Sequence, residues 1–168
     1  KKNNIRVSYD FNFRERLAPL DVAKKRQIPL LPMIDYLFGG EKDLSVMLDL
    51  NVDSDLQTLE QWQSVQKDLF EKYPFKEAIL SQRKEIHDKE FYRVVSLSPE
   101  NVCLSPWMPV SDVERIGMGD AMTAGYIAGL SSGQTQEQRT WQACACSVLK
   151  SSLPGDHAFI PPSMIERY

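Results

Sequence analysis

Apolar positions along the chain follow two spacings, one typical of strands and one typical of helices. Short apolar runs, alternating or continuous, predict strands at residues 5–9, 33–38, 78–80, 91–95 and 102–104. Apolar positions three and four residues apart predict helices at residues 21–31, 41–49, 55–73, 119–130 and 136–149. Because strands and helices alternate, the pattern predicts an α/β layer with a mostly parallel sheet, whose ligands bind beyond the carboxyl ends of the strands.

Turn-forming residues separate these elements. Gly39 and Gly40 are predicted to close a strand, Ser131–Gly133 to stop a helix, and Leu153–Asp156 to form a sharp turn. The charged run Arg83–Glu90 is predicted to be a solvated turn.

The helix predicted from residue 119 begins with an unusual sequence. Gly117 and Gly119 lie at its start, and Asp120 follows in the first turn. Glycine lets backbone N–H groups converge on an anion at a helix N-terminus, where the helix dipole also favours negative charge. Small residues recur at positions 121, 124, 125 and 128, so one face of the helix can approach a neighbour closely. The sequence predicts an anion site beside a carboxylate; the alternative is a glycine-assisted turn with an aspartate cap.

Composition narrows the class of protein. The 168 residues are 42% hydrophobic and 26% charged, as expected for one globular domain, and the formal charge of −3 argues against nucleic acid as a partner. No apolar stretch is long enough to span a membrane, and no secretion signal is recognised, so a cytoplasmic location is expected. The three cysteines, Cys103, Cys144 and Cys146, lack metal-ligand spacing and are expected to be reduced thiols.

Four segments, in order, resemble the ribokinase-like PfkB carbohydrate kinases, and among them the 2-keto-3-deoxygluconate kinases. They are Asp10–Arg14, Leu31–Asp35, the Gly-x-Gly-Asp signature that opens Gly117–Leu130, and Leu153–Asp156. The resemblance implies a three-layer ribokinase-like fold, a mostly parallel sheet flanked by helices, present only as its carboxyl-terminal half. Residues 1–168 would be the nucleotide-binding and catalytic part, without the family's amino-terminal part and lid.

The resemblance also implies a catalytic centre. Asp120 resembles the base that takes the proton from the attacking sugar hydroxyl. The backbone of Gly117, Met118 and Gly119 resembles the anion hole under the transferred phosphate, and convergent N–H groups suit the charge that develops there.

Further roles follow from the same resemblance. Arg14 would bind the carboxylate of a sugar acid through two parallel hydrogen bonds, and Asp156, like Asp120, would contact the sugar. The alternatives are that Arg14 pairs with Asp10 or Glu15 and that Asp156 only shapes a turn. The implied nucleotide contacts are Ser81, Arg83, Gly117, Gly119 and Cys144.

The implied activity is ATP-dependent phosphorylation of a sugar acid, with 2-keto-3-deoxygluconate as the first candidate. ATP and Mg²⁺ are the implied cofactors, and no residue is assigned as a metal ligand. The implied partners are the sugar acid and ATP, with a homo-oligomer as a further expectation. The isolated chain is expected to be inactive. One alternative is another PfkB-family sugar kinase such as a fructokinase. The other is a non-catalytic fragment. It is favoured by two departures from the family's sequence, Gly40–Asp43 in place of an Asn-x-x-Glu element and Ser81–Glu85 in place of a glycine-rich loop.

Overall fold

The structure is a computed structural model that describes residues 5–52 and 56–165. The chain divides into two compact units. The first consists of Lys1–Leu80 and Ser96–Val102, and the second of Ser81–Val95 and Cys103–Tyr168.

In the described ranges, the strands form one sheet in the order β1-β2-β3-β4-β5, and β6 pairs with β4. The strands are β1 (Ser8–Asp10), β2 (Tyr36–Gly40), β3 (Glu77–Ile86), β4 (Lys89–Leu97), β5 (Val102–Leu104) and β6 (Met108–Pro109). β1 and β2 run parallel, whereas β4 and β6 run antiparallel. The predicted α/β class is confirmed, with a sheet that is mixed.

The helices lie close to their predicted positions. They are α1 (Leu20–Gln27), α2 (Glu41–Leu48), α3 (Leu59–Lys72), α4 (Met118–Ser131), α5 (Gln136–Ser151) and α6 (Pro162–Ile165). A 3₁₀ segment, Ile28–Met33, follows α1 because Pro29 and Pro32 cannot continue an α-helix. Residue 55, the predicted start of the third helix, lies outside the described residues. In residues 5–52 and 56–165, no helix has the length and apolar character to cross a membrane.

The first unit is organised around the parallel pair β1 and β2. Ser8 aligns with Tyr36, and the chain leaves β1 with Phe11 N–H donating to Phe38 O at 3.1 Å. Asp35 is buried, and its Oδ2 accepts the N–H of Val7 at 2.9 Å. In the segment Leu31–Asp35, which resembles the kinase family, this carboxylate therefore stabilises the fold. The large side chains buried in this unit include Leu31, Leu37, Phe38, Leu44, Met47, Trp62, Leu69 and Ile79.

In the second unit, α4 and α5 pack closely through the small-residue face of α4. A Cβ atom at Gly125 would lie 2.9 Å from Sγ of Cys146 and 3.2 Å from Cα of Ala143. The predicted close approach is therefore confirmed at Gly125, whereas Ala124 and Ala128 are exposed.

One prediction is wrong. The run Arg83–Glu90 is not a solvated turn, because β3 continues to Ile86 and β4 begins at Lys89. His87 and Asp88 connect them with φ angles of +49° and +60°, the left-handed backbone at both central positions that defines a type I′ hairpin turn. Ser81 and Arg83 therefore lie within a strand, not in a loop that follows one.

Candidate functional site

The start of α4 depends on Gly117. This residue is the N-cap of α4 with φ +83°, in the left-handed region. A Cβ atom there would overlap the carbonyl oxygen of Asp156 and lie 3.2 Å from Cε of Lys150. Glycine thus lets the Leu153–Asp156 turn lie directly against the helix N-terminus, so two of the four resembling segments are in contact.

Backbone N–H groups face outward beside this contact. The first intrahelical bond runs from Ala121 N–H to Gly117 O at 2.9 Å, so helix geometry leaves the N–H groups of Gly119 and Asp120 without a partner inside α4. Met118 N–H donates to Arg115 O in a long hydrogen bond of 3.4 Å. The space where Gly119 would carry a Cβ has no heavy atom within 4 Å, so a ligand can approach the backbone there.

Asp120 lies in the first turn of α4 and is exposed. Among the described residues, its carboxylate makes no hydrogen bond and no ion pair. A carboxylate without partners beside N–H groups that can hold a phosphate can accept a proton from an incoming hydroxyl.

Two arginines near the start of α4 share one carboxylate. Arg83 Nη1 lies 2.7 Å from Glu90 Oε1, and Arg115 Nη2 lies 2.6 Å from Glu90 Oε2. The same Arg83 also contacts Met118 Sδ through Nη2 at 3.9 Å. Glu90 and Arg115 were not predicted from the sequence. Arg115 is a cation two residues before Gly117, but its partner Glu90 lies on β4, 25 residues earlier in the chain.

The inner side of the site is a buried polar layer. Tyr92 donates its hydroxyl to Met122 Sδ at 3.2 Å, and Ser147 donates to Met118 O at 3.0 Å. Burial raises the pKa of Tyr92 to about 12, against smaller lowering effects that include hydrogen bonds with Ser147 and Ser81. Ser81 therefore takes part in fixing the base of the site, whatever else it contacts.

Cys144 is buried, although it was predicted to contact the nucleotide. Its thiol is buried, at 3.8 Å from Tyr92 O and 4.0 Å from Pro106 O, and burial raises its pKa to about 11. A nucleotide contact from Cys144 stays a prediction that this core position does not support. Both Cys144 and Cys146 are buried in α5, as expected for structural thiols.

Asp156 is exposed and paired with its neighbour. Its Oδ1 lies 2.6 Å from His157 Nδ1. A hydrogen bond from its own backbone N–H, followed by His157, lowers the pKa of Asp156. Its backbone is fixed against Gly117 while its side chain faces solvent, so the carboxylate is ionised and accessible.

The first unit carries the other predicted substrate contact. Asp10 ends β1, its Oδ1 accepts Asn12 N–H at 2.9 Å, and Asn12 Oδ1 accepts Arg14 Nε at 3.1 Å. Arg14 is exposed and pairs with the Asn12 amide rather than with Asp10 or Glu15. The hydrogen bond to Nε leaves the two terminal nitrogens free to face a planar anion.

Gly40 and Asp43 form a helix cap. Asp43 Oδ2 accepts Gly40 N–H at 2.8 Å at the start of α2. Burial, and more weakly the charge of Asp10, raises the pKa of Asp43, and the bond to Gly40 opposes this. Mg²⁺ is usually held by one or two carboxylates together with phosphate and water. Asp10 and Asp43 are two carboxylates of the first unit close enough for their charges to interact. Residues 5–52 and 56–165 hold no group of three or more metal-ligating side chains.

Comparisons with known proteins and structures show similarity to carbohydrate kinases. No protein-family model matches the chain. It is 24% identical over 161 residues to a 2-dehydro-3-deoxygalactonokinase of Haloferax volcanii, matching 96% of this chain and 46% of the relative. The crystal structure of 2-dehydro-3-deoxygluconokinase from Thermotoga maritima matches 99% of this chain and 50% of its own, with 26% identity and a TM-score of 0.90.

A PfkB family carbohydrate kinase of Listeria grayi gives a TM-score of 0.83 at 25% identity, again over 99% of this chain and 50% of its own. The chain thus spans about half the length of the relatives it matches. In fold the chain is ribokinase-like, and it resembles the carboxyl-terminal half of the PfkB carbohydrate kinases.

Proposed function

We propose that the protein is an ATP-dependent sugar kinase that phosphorylates a 2-keto-3-deoxy sugar acid, and that this chain supplies its nucleotide-binding and catalytic part. The observation that carries the proposal is the start of α4. There an exposed carboxylate without partners, Asp120, adjoins free N–H groups and an open approach over Gly119.

This arrangement suits phosphoryl transfer. Asp120 accepts the proton of the sugar hydroxyl as its oxygen attacks the terminal phosphorus, and the bond from that phosphorus to the leaving nucleotide diphosphate breaks. The N–H groups of Gly119 and Asp120 stabilise the equatorial oxygens of the transferred group. Arg83 and Arg115, already neutralised in part by Glu90, face the same helix start and suit the remaining phosphates.

ATP and Mg²⁺ are the proposed cofactors. When bound with ATP, Mg²⁺ would neutralise charge on the phosphates. Ser81, Arg83, Gly117 and Gly119 are the proposed nucleotide contacts, and Arg83 is the exposed side chain among them. The buried position of Cys144 does not favour such a role.

Arg14 is the proposed reason for preferring a sugar acid. Its guanidinium is exposed and oriented by Asn12. Such a group binds a carboxylate, which a sugar acid has and a neutral hexose lacks. The gluco and galacto sugar acids named for two relatives differ at one carbon, so both belong to the proposed substrate class. Asp156 would accept hydrogen bonds from sugar hydroxyls.

The decisive test is Asp120→Asn in the complete gene product. We expect ATP binding by calorimetry to persist and turnover to fall by about 10²–10⁴-fold, because a general base is lost while the anion hole remains. Asp112→Asn is the matched control, since it removes an exposed carboxylate of the same unit. Turnover close to that of the control would sink the assignment of Asp120 as base.

Substrate class is tested with Arg14→Ala against Arg16→Ala, another exposed arginine. The Arg14 change should raise KM for 2-keto-3-deoxygluconate and its galacto epimer while leaving the poor rate on fructose unaltered. A wild-type preference for fructose would favour a fructokinase. Absence of ATP binding and of turnover by the wild-type protein would favour the non-catalytic alternative.

A further inference from the structure

Lys150, near the end of α5, is fully buried with 0% of its surface exposed. A lysine is almost never buried in this way unless its ammonium is well paired. Its Nζ donates to Leu153 O at 3.0 Å, and this is its one hydrogen bond among the described residues. An ammonium has three donors, so two remain for another partner.

The position of this ammonium is informative. Cε of Lys150 lies 3.2 Å from where Gly117 would carry a Cβ, so the end of the side chain is directly beside the N-cap of α4. The N-terminus of a helix already carries a partial positive charge, so a cation placed there is repelled unless an anion joins them. Among the described residues, no carboxylate forms an ion pair with Lys150, although the charge of Lys150 contributes to lowering the pKa of Asp156.

We propose that Lys150 is a positioning residue for phosphate. Its buried ammonium adds a fixed positive charge behind the N-terminus of α4 and so holds the transferred phosphoryl group against the N–H groups of Gly119 and Asp120. The inference rests on the function proposed above. A lysine near a helix C-terminus normally needs no such explanation, because it is exposed and interacts with the last carbonyls. Burial beside the start of a second helix is what sets Lys150 apart.

The test compares Lys150→Gln and Lys150→Met in the complete gene product. Gln keeps a hydrogen-bond donor and removes the charge, whereas Met removes both and keeps an unbranched stem. We expect kcat to fall about 10- to 100-fold in both variants, less than for loss of a direct anion-hole donor, with KM for the sugar acid unchanged. Lys89→Gln, at an exposed position of the same unit, controls for the change in net charge.

Each result has one meaning. A kcat restored by Gln but not by Met would overturn the proposal in favour of a hydrogen bond that only holds Leu153. Wild-type kcat in both variants would overturn it too, and so would failure of both variants to fold, since the ammonium would then serve the fold alone. Absence of turnover in the wild-type protein, by contrast, refutes the sugar-kinase function itself, so the two failures are distinguishable.

Discussion

Gly117→Ala tests whether the helix start and the Leu153–Asp156 turn are as tightly coupled as the structure shows. The substitution forces a residue with a Cβ into φ +83°, and the new methyl group overlaps the carbonyl oxygen of Asp156. Neither the backbone of Asp156 nor that of Gly117 can relieve the overlap by a rotamer change. One of the two must move.

The cost follows from these two effects. Left-handed backbone costs a residue with a Cβ roughly 1–2 kcal/mol, and relief of an overpacked contact costs roughly 1–3 kcal/mol. We therefore expect the free energy of unfolding to fall by roughly 2–5 kcal/mol. Urea unfolding followed by circular dichroism at 222 nm, an ordinary far-ultraviolet helix signal, measures this change as a lower transition midpoint.

Gly119→Ala is the matched control, two residues away. Nothing lies within 4 Å of its Cβ position, and it is inside the helix, so the free energy of unfolding should change by less than about 1 kcal/mol. The same methyl group fills the open approach to the N–H groups, so ATP affinity should fall. Equal midpoints for Gly117→Ala and Gly119→Ala would refute the coupling between the glycine and the turn.

Two more changes test the packing and the charges. Gly125→Ala places a methyl group 2.9 Å from Cys146 Sγ and 3.2 Å from Ala143 Cα. It should therefore lower the free energy of unfolding by roughly 1–3 kcal/mol, despite the better helix propensity of alanine. Ala124→Ser, at an exposed position of the same helix, is the control. The raised pKa of Asp43 means that the folded state holds its proton more tightly, so stability should fall as pH rises from about 4 through the folded pKa, and Asp43→Asn should remove that slope. An unchanged slope in Asp43→Asn, measured by urea titration between pH 4 and 7, would contradict the second prediction.

The sequence was most informative where local signals agree. For α5, Thr135 and Gln138 form a capping box, and both hydrogen bonds of that box are present in the structure at 2.9 and 3.3 Å. Gly133, with φ +71°, lies in the turn that follows the end of α4 at Ser131. Boundaries of these elements could be predicted to within about two residues because each is specified by residues next to it.

The β3–β4 hairpin could not be predicted in the same way. Its turn uses His87 and Asp88, whereas Asn-Gly is the usual signal. Its charged side chains have partners on the opposite strand or farther along the chain. Arg83 pairs with Glu90 on the opposite strand, and Lys84 Nζ lies 4.1 Å from the ring centroid of Trp107. In the sequence, a strand whose charged side chains pair with neighbouring segments cannot be distinguished from a solvated turn.

Lys150 escaped prediction for a related reason. In the sequence it is an ordinary basic residue in the last turn of a helix, where a cation is favoured. Only the packing of α5 against the start of α4 shows that its ammonium is enclosed. Gly117, in contrast, was recognisable from the sequence because glycine before a predicted helix indicates left-handed backbone, which the structure has at φ +83°.

The candidate residues divide between the two units in a way that separates two kinds of chemistry. Every residue proposed for phosphate, nucleotide or proton transfer, from Ser81 and Arg83 to Asp120 and Lys150, belongs to the second unit, whereas Arg14 belongs to the first. Changes at Arg83, Asp120 or Lys150 should therefore affect ATP affinity or kcat for every sugar alike. Changes at Arg14 should alter only the ratio of rates between sugar acids and neutral sugars. Selectivity for the acid group and phosphoryl transfer then depend on different residues, and an Arg14 variant that lowers the rate on sugar acids and neutral sugars equally would show that the assignment of Arg14 is incorrect.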